Sequence, residues 1–122
     1  MGKNHVFIND AGIIEIVVSG DQTVESIDAI GNEAERLVRQ RRKEGKPALV
    51  LDDVLLIGSV PAEARQRVVE LAKSVNYQKF AMVGKGTTIK MAANLLLQAI
   101  GKARKVKYFD DYSQAVEWLK IK

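Results

Sequence analysis

The chain has 122 residues, 47% of them hydrophobic and 28% charged, with a formal net charge of +4 and no cysteine. That is one domain's worth of sequence with apolar content for an ordinary core, and it excludes a disulfide framework and a Cys-based metal site. No run approaches the ~18 apolar residues of a membrane span, and the opening MGKNHVFIND lacks the apolar core of a signal peptide, so a reducing cytoplasm is the expected setting.

In chain order, residues 5–9 read as a short strand, and Asp10, Ala11 and Gly12 as a tight turn. Residues 13–19, IIEIVVS, are rich in β-branched side chains and read as a second strand, antiparallel to the first because the connection is so short. After a break at 20–23, Ile27, Ile30, Ala34, Leu37 and Val38 recur at helical spacing, with Asp21 or Thr23 as the cap. Gly45 and Pro47 end that helix. Residues 48–51 form a continuous apolar run, the mark of a central strand covered on both faces.

Pro61 is placed as the first helical residue of the next helix, whose core stripe is Ala64, Val68, Leu71, Ala72 and Val75. A strand over 80–83, a helix over 88–100, a strand over 106–109 and a helix opened by Asp111 complete the order β-β-α-β-α-β-α-β-α. The expected fold is α/β: a five-stranded mixed sheet, mostly parallel, with an N-terminal β-hairpin giving one antiparallel edge strand, and four helices, all in a single domain.

Two basic clusters carry much of the charge: Arg36, Arg39, Arg41, Arg42, Lys43 and Lys46, then Lys102, Arg104, Lys105 and Lys107. They read as a solvated helix end and a strand entry rather than a nucleic-acid footprint, since the first cluster has no aromatic platform nearby. His5 is the only histidine, so neither a His-centred triad nor a zinc site has anything to build on, and no cofactor is expected.

The stretch ALVLDDVLLIGSVPAEARQRVVELAK sets a hydroxyl, Ser59, between a buried strand and a helix N-terminus, the edge where ligands and partners meet α/β folds. Ser59 is read as a phosphoacceptor or as an ordinary residue at the helix cap. Asp52 and Asp53 would be a solvated strand end, with a paired-carboxylate Mg²⁺ site as the alternative. Gly84, Lys85, Gly86 and Thr87 form a strand-to-helix loop suited to an anion, but they do not match G-x-x-x-x-G-K-[ST], and Thr87 or Thr88 reads better as a plain N-cap. On the third helix, Met91, Leu95 and Ala99 make a second apolar stripe beside Ile89, Ala92, Ala93, Leu96 and Ile100. That stripe is assigned to a second subunit or an apolar ligand.

Three stretches, GIIEIVVSGDQTVESID, FAMVGKGTTIK and KVKYFDDYSQAVEWLK, resemble the STAS domains of anti-sigma-factor antagonists, and more closely their SpoIIAA-like branch, related to the Sec14-type lipid-binding fold. The resemblance spans about residues 12–120. It implies a regulatory domain that binds a protein partner, a kinase-like regulator among them, and is not an enzyme. In that family a serine in a D-S-[ST]-G loop after the central strand is phosphorylated as a switch. The matching position is Gly58-Ser59 in IGSVPAE, which lacks the preceding aspartate, the second hydroxyl and the following glycine. The resemblance thus makes Asp52, Asp53, Gly58, Ser59 and Pro61 the partner-contact loop. The alternative is a carrier of a lipid or other apolar small ligand, with a cavity of a few hundred Å³ lined by Met91 and Leu95.

Overall fold

A computed structural model describes residues 3–101 and 105–121, so Lys102 and Arg104 of the second basic cluster lie outside the described residues. The hairpin forms as its turn chemistry dictates. β1 (His5–Ile8) and β2 (Ile14–Gly20) pair antiparallel around a turn in which the Asn9 side chain accepts from the amides of Ala11 (2.9 Å) and Ile13 (3.0 Å). Gly12 supplies the positive φ of +78° that this turn needs.

Helix α1 (Val24–Lys43) starts at a capping box: Thr23 accepts from the Ser26 amide, and the Ser26 hydroxyl accepts from the Thr23 amide. Of the two expected caps, Thr23 is the one used. β3 (Leu49–Ile57), α2 (Ala62–Ser74), β4 (Lys79–Val83), α3 (Thr87–Ile100), β5 (Val106–Phe109) and α4 (Tyr112–Lys120) follow. The sheet runs β1-β2-β3-β4-β5, parallel from β2 onward.

Consecutive parallel strands joined by right-handed crossovers stack α1, α2 and α3 on one face of the sheet. α4 alone covers β3, β4 and β5 on the other. Two cores result. The larger, under the three helices, includes Ile14, Ile16, Val18, Val50, Val54, Phe80 and Met82. The smaller, under α4, is Ile13, Leu51, Ala81, Val83, Ala115 and Leu119. Where α1 crosses α2, Gly31 lets Leu71 approach so closely that a Cβ there would lie 2.5 Å from the leucine side chain.

Three expectations are corrected. The central strand does not stop at Leu51: it runs on to Ile57, so Asp52 and Asp53 are mid-strand residues. Pro61 is the N-cap of α2, not its first helical residue. Helix α3 is capped by Gly86, at φ +93°, and neither Thr87 nor Thr88 provides a side-chain cap.

Candidate functional site

β3 is flanked by β2 and β4 on both sides, with Asp52 opposite Ile16 and Met82. Backbone pairing in a parallel ladder is indifferent to side-chain polarity, so the strand carries Asp52 into the interior. Its side chain lies on the three-helix face with Val50 and Val54, two residues either way along the strand. Asp52 is 8% exposed, and its Oδ1 has no hydrogen-bond partner among the described residues. Burial raises its pKa to about 7, helped by the neighbouring charge of Asp53. The reading of Asp52 as a solvated strand end is therefore overturned. Asp53 lies on the opposite side of the strand, where it accepts from the Leu55 amide at 3.0 Å. The described residues contain no cluster of three or more acidic or histidine side chains able to hold a metal.

Asp52 lines two cavities. The larger, about 240 Å³, lies between the sheet, α2, α3 and the β3–α2 loop, with Val54, Ile57, Met82, Ile89 and Leu96 in its wall. The smaller, about 80 Å³, lies between the sheet, α1 and α2. Both also touch Val18, Ile27 and Val68, so they meet at the carboxylate. The expected cavity is present, but Met91 and Leu95 do not line it. They are 63% and 67% exposed on the outer side of α3, as is Ala99 on the same stripe. The wall is built instead by the inward stripe, Ile89, Ala92, Ala93 and Leu96.

A β-bulge shapes the end of β3. Val17 pairs with Asp53, but Ser19 pairs with Leu56, so β3 carries one extra residue. Bulges re-aim side chains. Here Ile57 turns toward the cavity, while Leu55 and Leu56 are 41% and 68% exposed.

The loop that follows is braced against the β2–α1 loop. The Gly58 amide donates to the Gly20 carbonyl (2.8 Å), the Ser59 amide to Asp21 Oδ1 (2.8 Å) and the Gln22 amide to the Ser59 carbonyl (2.8 Å). The Ser59 amide and hydroxyl hold the Asp21 carboxyl below its ordinary range. A Cβ at Gly58 would run into the Asp21 carboxylate, which is why glycine stands there. Gln22, buried, ties the base of the brace by donating to the carbonyls of Ser19 (3.1 Å) and Gly20 (2.9 Å). Ser59 itself is exposed, two residues before the cap, and Arg65 of α2 donates to the Val60 carbonyl at 2.7 Å.

The Gly84–Thr87 segment adjoins this region through Gly84, which is buried: a Cβ there would lie 3.2 Å from Val54 and 2.7 Å from Ile89, a cavity residue. Lys85, Gly86 and Thr87 are exposed. Asp52, Gly58 and Val60 thus share one cavity, Ser59 and Pro61 flank Val60 in the chain without lining it, and Met91, Leu95 and Ala99 form a separate outer surface.

Some polar residues on the α4 face carry no signal that sequence reasoning used. Glu15, buried in a β-branched strand, accepts from the Tyr112 hydroxyl (2.6 Å) and the Asn9 amide group (3.0 Å). Burial and the Glu15 hydrogen bond push Tyr112 up to about 12. Lys79, also buried, donates to the Trp118 carbonyl at 2.8 Å and to that of Ile121, closing the C-terminus of α4, and its ammonium lies 5.0 Å from the Trp118 ring centroid.

With this geometry in hand, residues 13–120 match the model of the family described as SpoIIAA-like. The chain belongs to the SpoIIAA-like family. Two solved structures share the family's fold with it. One is an uncharacterised protein with a SpoIIAA-like fold from Shewanella loihica, 16% identical, with a TM-score of 0.68 over 96% of this chain and 92% of that one. The other is an anti-sigma factor antagonist from Mycobacterium paratuberculosis, 14% identical, with a TM-score of 0.69 over 98% and 94%. A search of curated proteins gives no match. No helix among the described residues of this SpoIIAA-like chain is long and apolar enough to cross a membrane.

Proposed function

We propose that this SpoIIAA-like chain acts by binding a protein partner at the C-terminal edge of its sheet, and not by catalysis. The observation that carries the reading is the braced loop: Ser59 is exposed on a segment fixed by three hydrogen bonds to residues 20–22, next to exposed Leu55 and Leu56. A rigid, partly apolar edge beside a polar rim is the anatomy of a protein contact. The fold likeness to an anti-sigma factor antagonist supports the same reading.

Ser59 is the proposed phosphoacceptor, and a kinase-like regulator the proposed partner. A phosphate adds about −1.5 to −2 charges. On Ser59 it would face the ionised Asp21 carboxylate, so repulsion would work against the brace. The setting this reading assumes is the cytoplasm, and the exposed stripe of Met91, Leu95 and Ala99 is the proposed homodimer surface. Sedimentation of wild type and Leu95→Asp tests the dimer: a monomer at all concentrations for both removes it.

The test of the main reading is a pull-down compared between Ser59→Ala and Ser59→Asp. The reading expects different partner sets, with the aspartate variant losing or gaining a partner. Identical sets from both variants contradict the switch.

A second reading has its own observation. The cavity of about 240 Å³ under the braced loop favours an apolar small ligand. Its residues Gly58 and Val60 belong to the partner-contact loop, so an occupant would touch the same surface from beneath.

A further inference from the structure

We propose that the larger cavity binds a neutral, mostly apolar molecule of about ten non-hydrogen atoms, whose carbonyl or hydroxyl oxygen accepts a hydrogen bond from the Asp52 side chain; the size follows from a cavity of roughly 150 Å³ holding benzene. The proposal rests on the second reading above and names the ligand's chemistry.

Three observations converge. The first is the cavity, about 240 Å³ and walled by aliphatic side chains, with exposed Gly58, Arg65 and Ala92 marking its mouth. It is far too small for a two-chain lipid. The second is the orphaned polar atom: Asp52 lines this cavity, is almost fully buried, and its Oδ1 has no hydrogen-bond partner among the described residues. Buried polar groups are nearly always hydrogen-bonded, so the Asp52 side chain keeps hydrogen-bonding capacity that the described residues do not use. The third is the charge of the surroundings. The lining residues from α1, α3, β2 and β4 are all uncharged; besides Asp52 the one charged residue in either lining is Arg65 of α2, which donates to the Val60 carbonyl, Asp53 acts on Asp52 from the opposite side of the strand, and Tyr77 lines the smaller cavity and donates to the Ala72 carbonyl. A cationic ligand would pass the Arg65 guanidinium and be stripped of water in an apolar pocket. An anionic ligand would meet a carboxyl. A neutral oxygen acceptor suits the site, since a carboxylic acid kept protonated by an apolar environment is a hydrogen-bond donor. Burial favours that protonated form up to about pH 7.

The test uses 2-octanone and its shape-matched alkene, 2-methyl-1-octene, titrated into ¹⁵N-labelled full chain at pH 6 and pH 8.5, with the amides of Gly58 and Ala93 as reporters. Both molecules should bind. Ketone affinity should fall roughly tenfold or more between the two pH values as Asp52 ionises, and alkene affinity should not. Asp52→Asn, which keeps an N–H donor, should bind the ketone at both pH values. Asp52→Val should lower the ketone-to-alkene affinity ratio by roughly tenfold. Ketone binding that is independent of pH in the wild type, or an unchanged ratio in Asp52→Val, overturns the assignment of Asp52 while leaving the cavity reading in place. Failure of both molecules to bind overturns the cavity reading and this proposal together.

Discussion

On one face of the sheet a nine-residue helix, α4, closes a core in which Ile13, Leu51, Ala81, Val83, Ala115 and Leu119 are at most 1% exposed. On the other face three helices leave about 240 Å³ unfilled, with Asp52 in the wall, its Oδ1 without a hydrogen-bond partner among the described residues. The same strands serve both faces. The difference lies in what meets them. Under α4 the core residues are almost wholly buried, and the buried cation Lys79 finds two carbonyls. Under α2 and α3 the cavity side of α3 carries the short side chains of Ala92 and Ala93. One face is built for stability. The other gives up contact and carries a buried acid whose Oδ1 has no hydrogen-bond partner among the described residues.

The largest expected effect contrasts the two faces through pH. Asp52 has a pKa of 3.8 when unperturbed and about 7 in the fold. Its proton is held more tightly in the native state, so the wild-type chain loses stability as pH rises from about 4 to about 7, with no further loss from this group above that. The loss is on the order of 4 kcal/mol. Asp52→Asn removes it, so denaturant titrations should show the variant more stable than wild type at pH 8 and closest to it at pH 4. A wild type at least as stable as the variant at pH 8 would break the contrast.

Next, Leu119→Ala in the tight core should cost about 3 kcal/mol in the same titrations, since the fully buried side chain leaves a void. A cost below about 1 kcal/mol would mean that the α4 face is loose too. Lys79→Met should cost about 2 kcal/mol by leaving two carbonyls at the end of α4 unpaired. Hydrogen exchange in the last turn of α4 should accelerate with it. The smallest effect is the most pointed: Ala93→Val extends into the cavity and should be neutral or stabilising by up to about 1 kcal/mol. A substantial loss of stability there would show that the space is already filled.

The order of elements is legible in the chain because each carries its own local signal: the Thr23 cap, the Gly12 turn, the apolar spacing of α1 and Asp111 before α4. The site was harder to read. Two adjacent aspartates look like the end of a strand, yet the apolar run Val54, Leu55, Leu56, Ile57 beyond them was the available sign that the strand continues. The bulge depends on how β3 pairs with β2, and nothing local to β3 encodes it. The cavity depends on the summed reach of side chains from six elements, which periodicity along one helix does not report. For that reason the space is lined by Ala92 and Ala93 of the inner stripe and not by Met91 and Leu95, which face out. The brace between Asp21 and Ser59 joins residues 38 apart, a contact that only the fold creates.

The most direct test is a ¹³C carboxyl titration of Asp52 by NMR in the free wild-type chain. A midpoint near 7, with the Ala93 and Gly58 amides shifting over the same range, is the result expected for a buried carboxyl on a cavity wall. A midpoint near the ordinary 3.8 would mean that Asp52 meets water or a partner, and the distinction between the two faces would fall.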